Sequence, residues 1–220
     1  MSSYEDFVRL SPMLLADVLS VDSVMDHGIR PVWMDMPRVA GPAFTVRCPP
    51  GDSLMLHAAI YMASPGAVIV VQAGDCRQAV AGGNVCAIAR RRGIRAFVID
   101  GVIRDLAEIR QIRFPVLARG IVPVPAGKLQ SGTLDDAPVR CGGIDVAPGD
   151  IVVADEEGIV VVPRGRADEV LNAARGKAIR DATVSQEQWE AAHRRRTDEA
   201  LRASGHAGVD SLIRGPARAL

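Results

Sequence analysis

The sequence predicts a layered α/β domain followed by a helical extension, and three observations carry that reading. Short apolar runs alternate with helical patterns through the first half, residues 138–163 read as β, and a polar helical composition takes over from Arg166. These shifts divide the chain into an α/β domain over 1–163 and a helical C-terminal extension over 164–220. A chain of 220 residues has the length for a real core, and with 48% hydrophobic but only 4% aromatic residues that core must be built from Val, Ile, Leu and Ala.

The elements follow in order. Ser11-Pro12 is a helix cap with proline in the first turn, and Met13 to Leu19 continues it. Residues 30–42 contain Pro31, Pro37 and Pro42 and read as loop with one extended segment, before a strand at Ala43 to Val46. Gly51-Asp52-Ser53 opens a helix carrying Leu54, His57, Ala58 and Tyr61, which Ser64-Pro65-Gly66 ends. His57 on it either points to a cavity or is a core histidine with one hydrogen bond. Ala67 to Val71 is a buried strand running to Gly74-Asp75, where Asp75 shapes a site or caps a turn.

The centre of the chain is Gly82 to Glu108. Gly82-Gly83-Asn84 breaks the backbone, Val85 to Arg92 is helical with cations at its C-terminus, and Ala96 to Ile99 is a buried strand. Asp100-Gly101 is a turn signal, and Arg104-Asp105 stands at the next helix start. Beyond it, Pro115 to Ala118 is a short strand, while Val122-Pro123-Val124-Pro125 is too proline-rich for a sheet interior. Val139-Arg140, Ile144 to Val146, Asp150 to Ala154 and Gly158 to Val162 are strands, with Asp155-Glu156-Glu157-Gly158 an acidic turn or a cation site. Ala167 to Asp181 and Gln186 to Ala203 are helices too polar to bury much surface, with glycines at Gly205 and Gly208, which suits packing on a neighbouring subunit.

Charge and cysteines exclude several function classes. Twenty-six basic residues balance twenty-six acidic ones, so nucleic acid is not the expected partner. Cys48, Cys76, Cys86 and Cys141 match no zinc spacing and read as free, mostly buried thiols. The N-terminus lacks an apolar signal-peptide core, and no stretch approaches the roughly 20 apolar residues of a membrane span. A cytoplasmic protein without membrane partners is the expectation.

Backbone N–H groups at the Gly82 to Val85 turn and the Arg104-Asp105 pair converge, on this reading, at the ends of neighbouring strands, a place for a small anion and a metal ion. On spacing alone, Arg104 and Glu108 also suit an ordinary i, i+4 surface pair. Gly83, twenty residues, Arg104-Asp105, two residues and Glu108 resembles the signature of the class II pyruvate aldolases, the 4-hydroxy-4-methyl-2-oxoglutarate / 4-carboxy-4-hydroxy-2-oxoadipate aldolases that share a fold with the regulator of ribonuclease activity A. The likeness runs from about Leu10 to Pro163 and includes Gly51-Asp52, Gly74-Asp75 and Asp155 to Val162.

The resemblance implies a swivelling β/β/α domain assembled as a homotrimer or homohexamer. It implies a lyase that cleaves a 4-hydroxy-2-keto dicarboxylic acid to pyruvate and a second keto acid in aromatic-compound degradation, with oxaloacetate decarboxylation as a side activity. Asp105 is the implied ligand of Mg²⁺ or Mn²⁺, and Arg104 the stabiliser of the pyruvate enolate. The N–H groups of Gly82, Gly83, Asn84 and Val85 are the implied cradle of the substrate carboxylate, and Glu108 orients Arg104 or Asp105. With only Lys128 and Lys177 against twenty-four arginines, a Schiff-base route is disfavoured. Asn84 stands where many relatives carry an acid, and Glu187, Glu190 or Glu199 could reach a neighbouring subunit's site. The alternative from another class is a non-catalytic regulator that binds a ribonuclease or helicase.

Overall fold

The computed structural model describes residues 4–128, 132 and 137–206. Two compact units divide the chain, Met1–Arg175 and Gly176–Leu220. Gly208 and the rest of 207–220 lie outside the described residues.

In the first unit, α1 (Tyr4–Phe7) and α2 (Pro12–Ala16) open the chain. Ser11 Oγ accepts the Leu14 N–H at 3.1 Å, the cap that the Ser-Pro pair predicts. Next come β1 (Arg30–Pro31), β2 (Val39–Arg47), α3 (Leu54–Met62), β3 (Val68–Gln72), α4 (Gly83–Arg91), β4 (Ala96–Ile103), α5 (Leu106–Ile112) and β5 (Val116–Ile121). The strands β6 (Val139–Cys141), β7 (Ile144–Val146), β8 (Ile151–Ala154) and β9 (Ile159–Val162) follow. α6 (Ala167–Ala182) then leads to α7 (Gln186–Ala203).

One seven-stranded sheet runs in the order β1-β5-β4-β3-β2-β8-β9, with β6-β7 as a separate hairpin. β2 to β5 are parallel, as their helical crossovers require, and β1, β8 and β9 join antiparallel. β2 is shared: its first half, Val39 to Pro42, pairs with β8 and its second half, Ala43 to Arg47, pairs with β3. The proline-bearing stretch read as loop is therefore partly strand. Ala43 N–H donates to Asp150 O on the β8 side. Alternation then turns the Pro42 nitrogen toward β3, whose pairing begins only at Ala43, so proline sacrifices no ladder bond.

Asp100-Gly101 is a second correction, because β4 runs straight through it. The register with β5 shifts between Ile99 and Val102, which makes the pair a β-bulge rather than a turn. The Asp100 carboxylate accepts from Arg119 Nε and from the Gly142 N–H at 2.8 Å. Arg119 also donates to both oxygens of Asp26, at 3.1 and 2.7 Å. This bonding holds the Asp26 carboxyl below its ordinary range.

The aliphatic core forms as composition demands. Val68 to Val71 and Phe97 to Ile99 are fully buried, so both faces of the sheet centre are covered. Leu56, Ile60, Cys86, Ala89 and Ile109 belong to this cluster, and Phe97 meets Phe114 edge-to-face at 4.9 Å. A second cluster joins Phe7, Leu10 and Leu15 to Val153, Val160 and Val162, and to Val170, Leu171 and Ala174 of α6. Cys48, Cys86 and Cys141 are buried free thiols, and burial pushes the first two up to about 11 and about 12. Cys76 is exposed.

In the second unit a capping box starts α7, with Ser185 and Gln188 exchanging hydrogen bonds at 3.0 and 3.1 Å. No α7 residue is buried, and Trp189 stacks on His193. Among the described residues no helix is long and apolar enough to cross a membrane. Truncating Phe97 to Ala removes a fully buried ring and its edge-to-face partner. Urea denaturation of that variant should show a loss of about 3–5 kcal/mol.

Candidate active site

α4 begins at Gly83 with Gly82 as its N-cap, a residue with no side chain to cap with. The first N–H groups of a helix have no partners inside it. Gly83 N–H donates to Asp105 Oδ2 at 3.1 Å, while Gly82, Asn84 and Val85 N–H have no hydrogen-bond partner among the described residues. Asp105 reaches back across twenty-two residues because it takes a left-handed backbone, φ 59° and ψ 45°, at the N-cap of α5. Aspartate is one of the few non-glycine residues that tolerate this region.

The contact is close enough to dictate both glycines. A Cβ on Gly82 would collide with Asp105 Oδ2, and one on Gly83 would stand 2.7 Å from Glu108 Cβ. Arg104 Nε lies 3.6 Å from the same Oδ2, with its side chain 42% exposed and that of Asp105 37% exposed. Glu108 is exposed and makes no hydrogen bond or ion pair among the described residues. It neither orients Arg104 nor forms the i, i+4 pair; its stem packs over Gly83 instead.

A third wall comes from residues 122–128. Val122 N–H donates to Ile103 O at 2.9 Å, Ala79 N–H to Val124 O at 2.7 Å and Ala126 N–H to Ala79 O at 2.9 Å. Gly127 N–H donates to Gly51 O at 2.8 Å, and Ser53 returns its N–H and its hydroxyl to Gly127 O, each at 2.9 Å. The donors on this strap, Val122, Ala126 and Gly127, flank the Pro123–Pro125 segment and Val124 only accepts, so the prolines cost no bond. It delivers Lys128 to the start of α3, near His57.

These walls enclose a cavity of about 100 Å³ whose polar lining is Ser53, His57, Asn84, Arg104, Asp105 and Lys128. Gly82 and Val85 also line it, whereas Gly83 contributes through its bond to Asp105. His57 is half-buried, and its ring makes no hydrogen bond among the described residues, unlike a satisfied core histidine. Burial, and then the charge of Lys128, hold its pKa below the ordinary imidazole value. A wider groove of about 660 Å³ beside Asn84, Ala87, Ile88 and Ile112 contains no acid or histidine, so the smaller cavity is the chemical one.

The other acids singled out in the sequence serve turns. Asp75 Oδ1 accepts the Arg77 N–H at 2.9 Å, and Asp155 accepts from Arg38 at 2.8 Å and from the Glu157 N–H at 3.0 Å. Lys128 is a lining residue that sequence reasoning read only as part of a Pro/Gly-rich loop and did not assign to the site. Only its position just after the proline-rich run hinted otherwise.

A family model described as RraA-like, Aldolase/RraA, matches residues 14–161. The chain belongs to the Aldolase/RraA family. It is 38% identical over 176 residues to a Halalkalibacterium halodurans protein carrying the proposed name 4-hydroxy-4-methyl-2-oxoglutarate aldolase, covering 80% of this chain and 83% of that one. A Burkholderia multivorans protein with the same proposed name is 35% identical over 139 residues, 63% of this chain and 83% of that one. Among solved structures, Streptomyces coelicolor RraAS2, described as an unusual member of the RNase ES inhibitor RraA protein family, superposes with a TM-score of 0.69. It is 31% identical and covers 88% of this chain and 96% of its own.

The donor set bears on a metal ion. Among the described residues no group of three or more His, Cys, Asp or Glu could hold one, so an all-protein cage is excluded for them. Asp105 Oδ1 accepts no hydrogen bond among the described residues, which suits a hard cation held by one carboxylate with water and substrate oxygens. Because Gly83 packs on the Glu108 stem, Gly83→Ala must push α5 from α4. Chemical denaturation should show a loss of about 1–3 kcal/mol, as overpacking does elsewhere.

Proposed function

We propose that this protein is a pyruvate-releasing lyase that cleaves a 4-hydroxy-2-keto dicarboxylic acid to pyruvate and a second keto acid, depends on Mg²⁺ or Mn²⁺, and also decarboxylates oxaloacetate. The observation that carries the reading is the meeting of the Arg104 guanidinium, the Asp105 carboxylate and the α4 start in one small cavity. The family and the names of its relatives support an aldolase. The reading extends to a homotrimer or homohexamer in which an acid of a neighbouring chain, Glu187, Glu190 or Glu199, completes the site.

Cleavage beside a 2-keto acid leaves an enolate, and its negative charge sets the barrier. Asp105 would hold the divalent cation, which when bound supplies Lewis-acid polarisation of the keto oxygen. Arg104 donates to the oxygen on which charge develops and costs no reorganisation to do so. The Asn84 and Val85 N–H groups at the α4 start bind the substrate carboxylate. Lys128 lies on the exposed side of the cavity, whereas an amine that forms a Schiff base relies on a desolvated pocket or a neighbouring cation.

The likeness to RraAS2 favours a second reading, a non-catalytic regulator that binds a ribonuclease or helicase. Pyruvate release from oxaloacetate and from 4-hydroxy-4-methyl-2-oxoglutarate, with Mg²⁺ and with a chelator, separates the two. The enzyme reading expects metal-dependent release, abolished by Asp105→Ala and slowed about 100-fold or more by Arg104→Ala. No release, together with a stoichiometric complex with a ribonuclease, would establish the regulator.

A further inference from the structure

Aldol cleavage needs a base as well as an enolate stabiliser, because the hydroxyl proton must leave before the C–C bond can break. The polar lining of the cavity offers few choices. Ser53 gives its hydroxyl proton to Gly127 O and is no stronger a base than the substrate's own hydroxyl. The Asn84 amide has no basic lone pair, and Arg104 is a permanent cation. The Lys128 ammonium has three donors and no acceptor. Asp105 already accepts from Gly83 N–H and lies against Arg104, and it is the residue that would hold the cation.

Resting on the lyase reading above, we infer that His57 is the general base that takes the proton of the substrate 4-hydroxyl. It lines the same cavity as Arg104 and Asp105, stands on a regular helix, and has no competing hydrogen bond among the described residues. Burial and the neighbouring Lys128 charge favour the neutral imidazole, the form with a free lone pair. His57 thus supplies the proton acceptor that an acid at position 84 could provide and Asn84 does not.

The step balances within the site. An imidazole nitrogen of His57 takes the hydroxyl proton, and the O–H electron pair becomes the new C4=O bond. The C3–C4 bond breaks, and its pair moves into the enolate that Arg104 stabilises. Solvent water then protonates the enolate at C3 and the imidazolium neutralises the hydroxide formed, giving pyruvate and the second keto acid with no net reactant.

Oxaloacetate decarboxylation reaches the same enolate without any hydroxyl proton to remove, and this separates the role of His57 from that of the enolate site. His57→Gln and His57→Asn should slow cleavage of 4-hydroxy-4-methyl-2-oxoglutarate by about 100-fold or more in kcat. Oxaloacetate decarboxylation by the same preparations should stay within about 3-fold of wild type, which also certifies that the site is folded. Equal losses in both reactions would overturn the inference and make His57 a structural part of the cavity. Cleavage at the wild-type rate in the variants would overturn it too, handing the proton to another group such as an acid of a second copy. A wild-type protein inert toward both substrates overturns the lyase reading and this inference with it.

Discussion

The bond from the Gly83 N–H to Asp105 Oδ2 fastens two helix starts that lie twenty-two residues apart, and the candidate site depends on it. It works only because both partners are unusual. Asp105 accepts a left-handed backbone that turns its carboxylate back over α4, and glycines at 82 and 83 let the 104–108 turn approach closely. The carboxylate is held at one oxygen and open at the other, with a guanidinium beside it. On the proposed lyase reading this arrangement stabilises negative charge on a bound keto acid; as an exposed ion pair alone it would be worth little.

The sheet explains why the arrangement stays put. β3 and β4 are buried on both faces, and the loops that follow them converge at their C-terminal ends, where open parallel sheets place ligands. The bulge at Asp100-Gly101 adds one residue to β4 ahead of the Arg104-Asp105 turn, and the Asp100–Arg119–Asp26 network pins it. The 122–128 strap then closes the third side through backbone bonds to residues 51, 53 and 79.

Local chemistry was legible in the sequence, and non-local pairing was not. The Ser11-Pro12 cap, the buried strand at Ala96 to Ile99 and a helix start at Arg104-Asp105 follow from neighbouring residues, whereas α4 begins at Gly83, two residues before the Val85 start that the glycine break suggests. Asp100-Gly101 carries a turn dipeptide, yet β5 pairs on both sides of it and keeps it in the strand. Pro42 reads as a breaker, yet its missing donor faces a side where pairing has not begun. Lys128 and His57 come from segments seventy residues apart, joined by a strap that hydrophobic periodicity cannot reveal. The alignment of a histidine with the Arg-Asp pair is therefore a property of the fold and not of any motif.

On the proposed lyase reading, a pyruvate enolate forms in this cavity. Exchange of the pyruvate methyl protons with D₂O, followed by NMR, tests it without reference to any larger substrate. Protein-catalysed exchange with Mg²⁺, stopped by a chelator, is the expected result. Absence of exchange by folded protein in Mg²⁺, or exchange indifferent to the chelator, would contradict it.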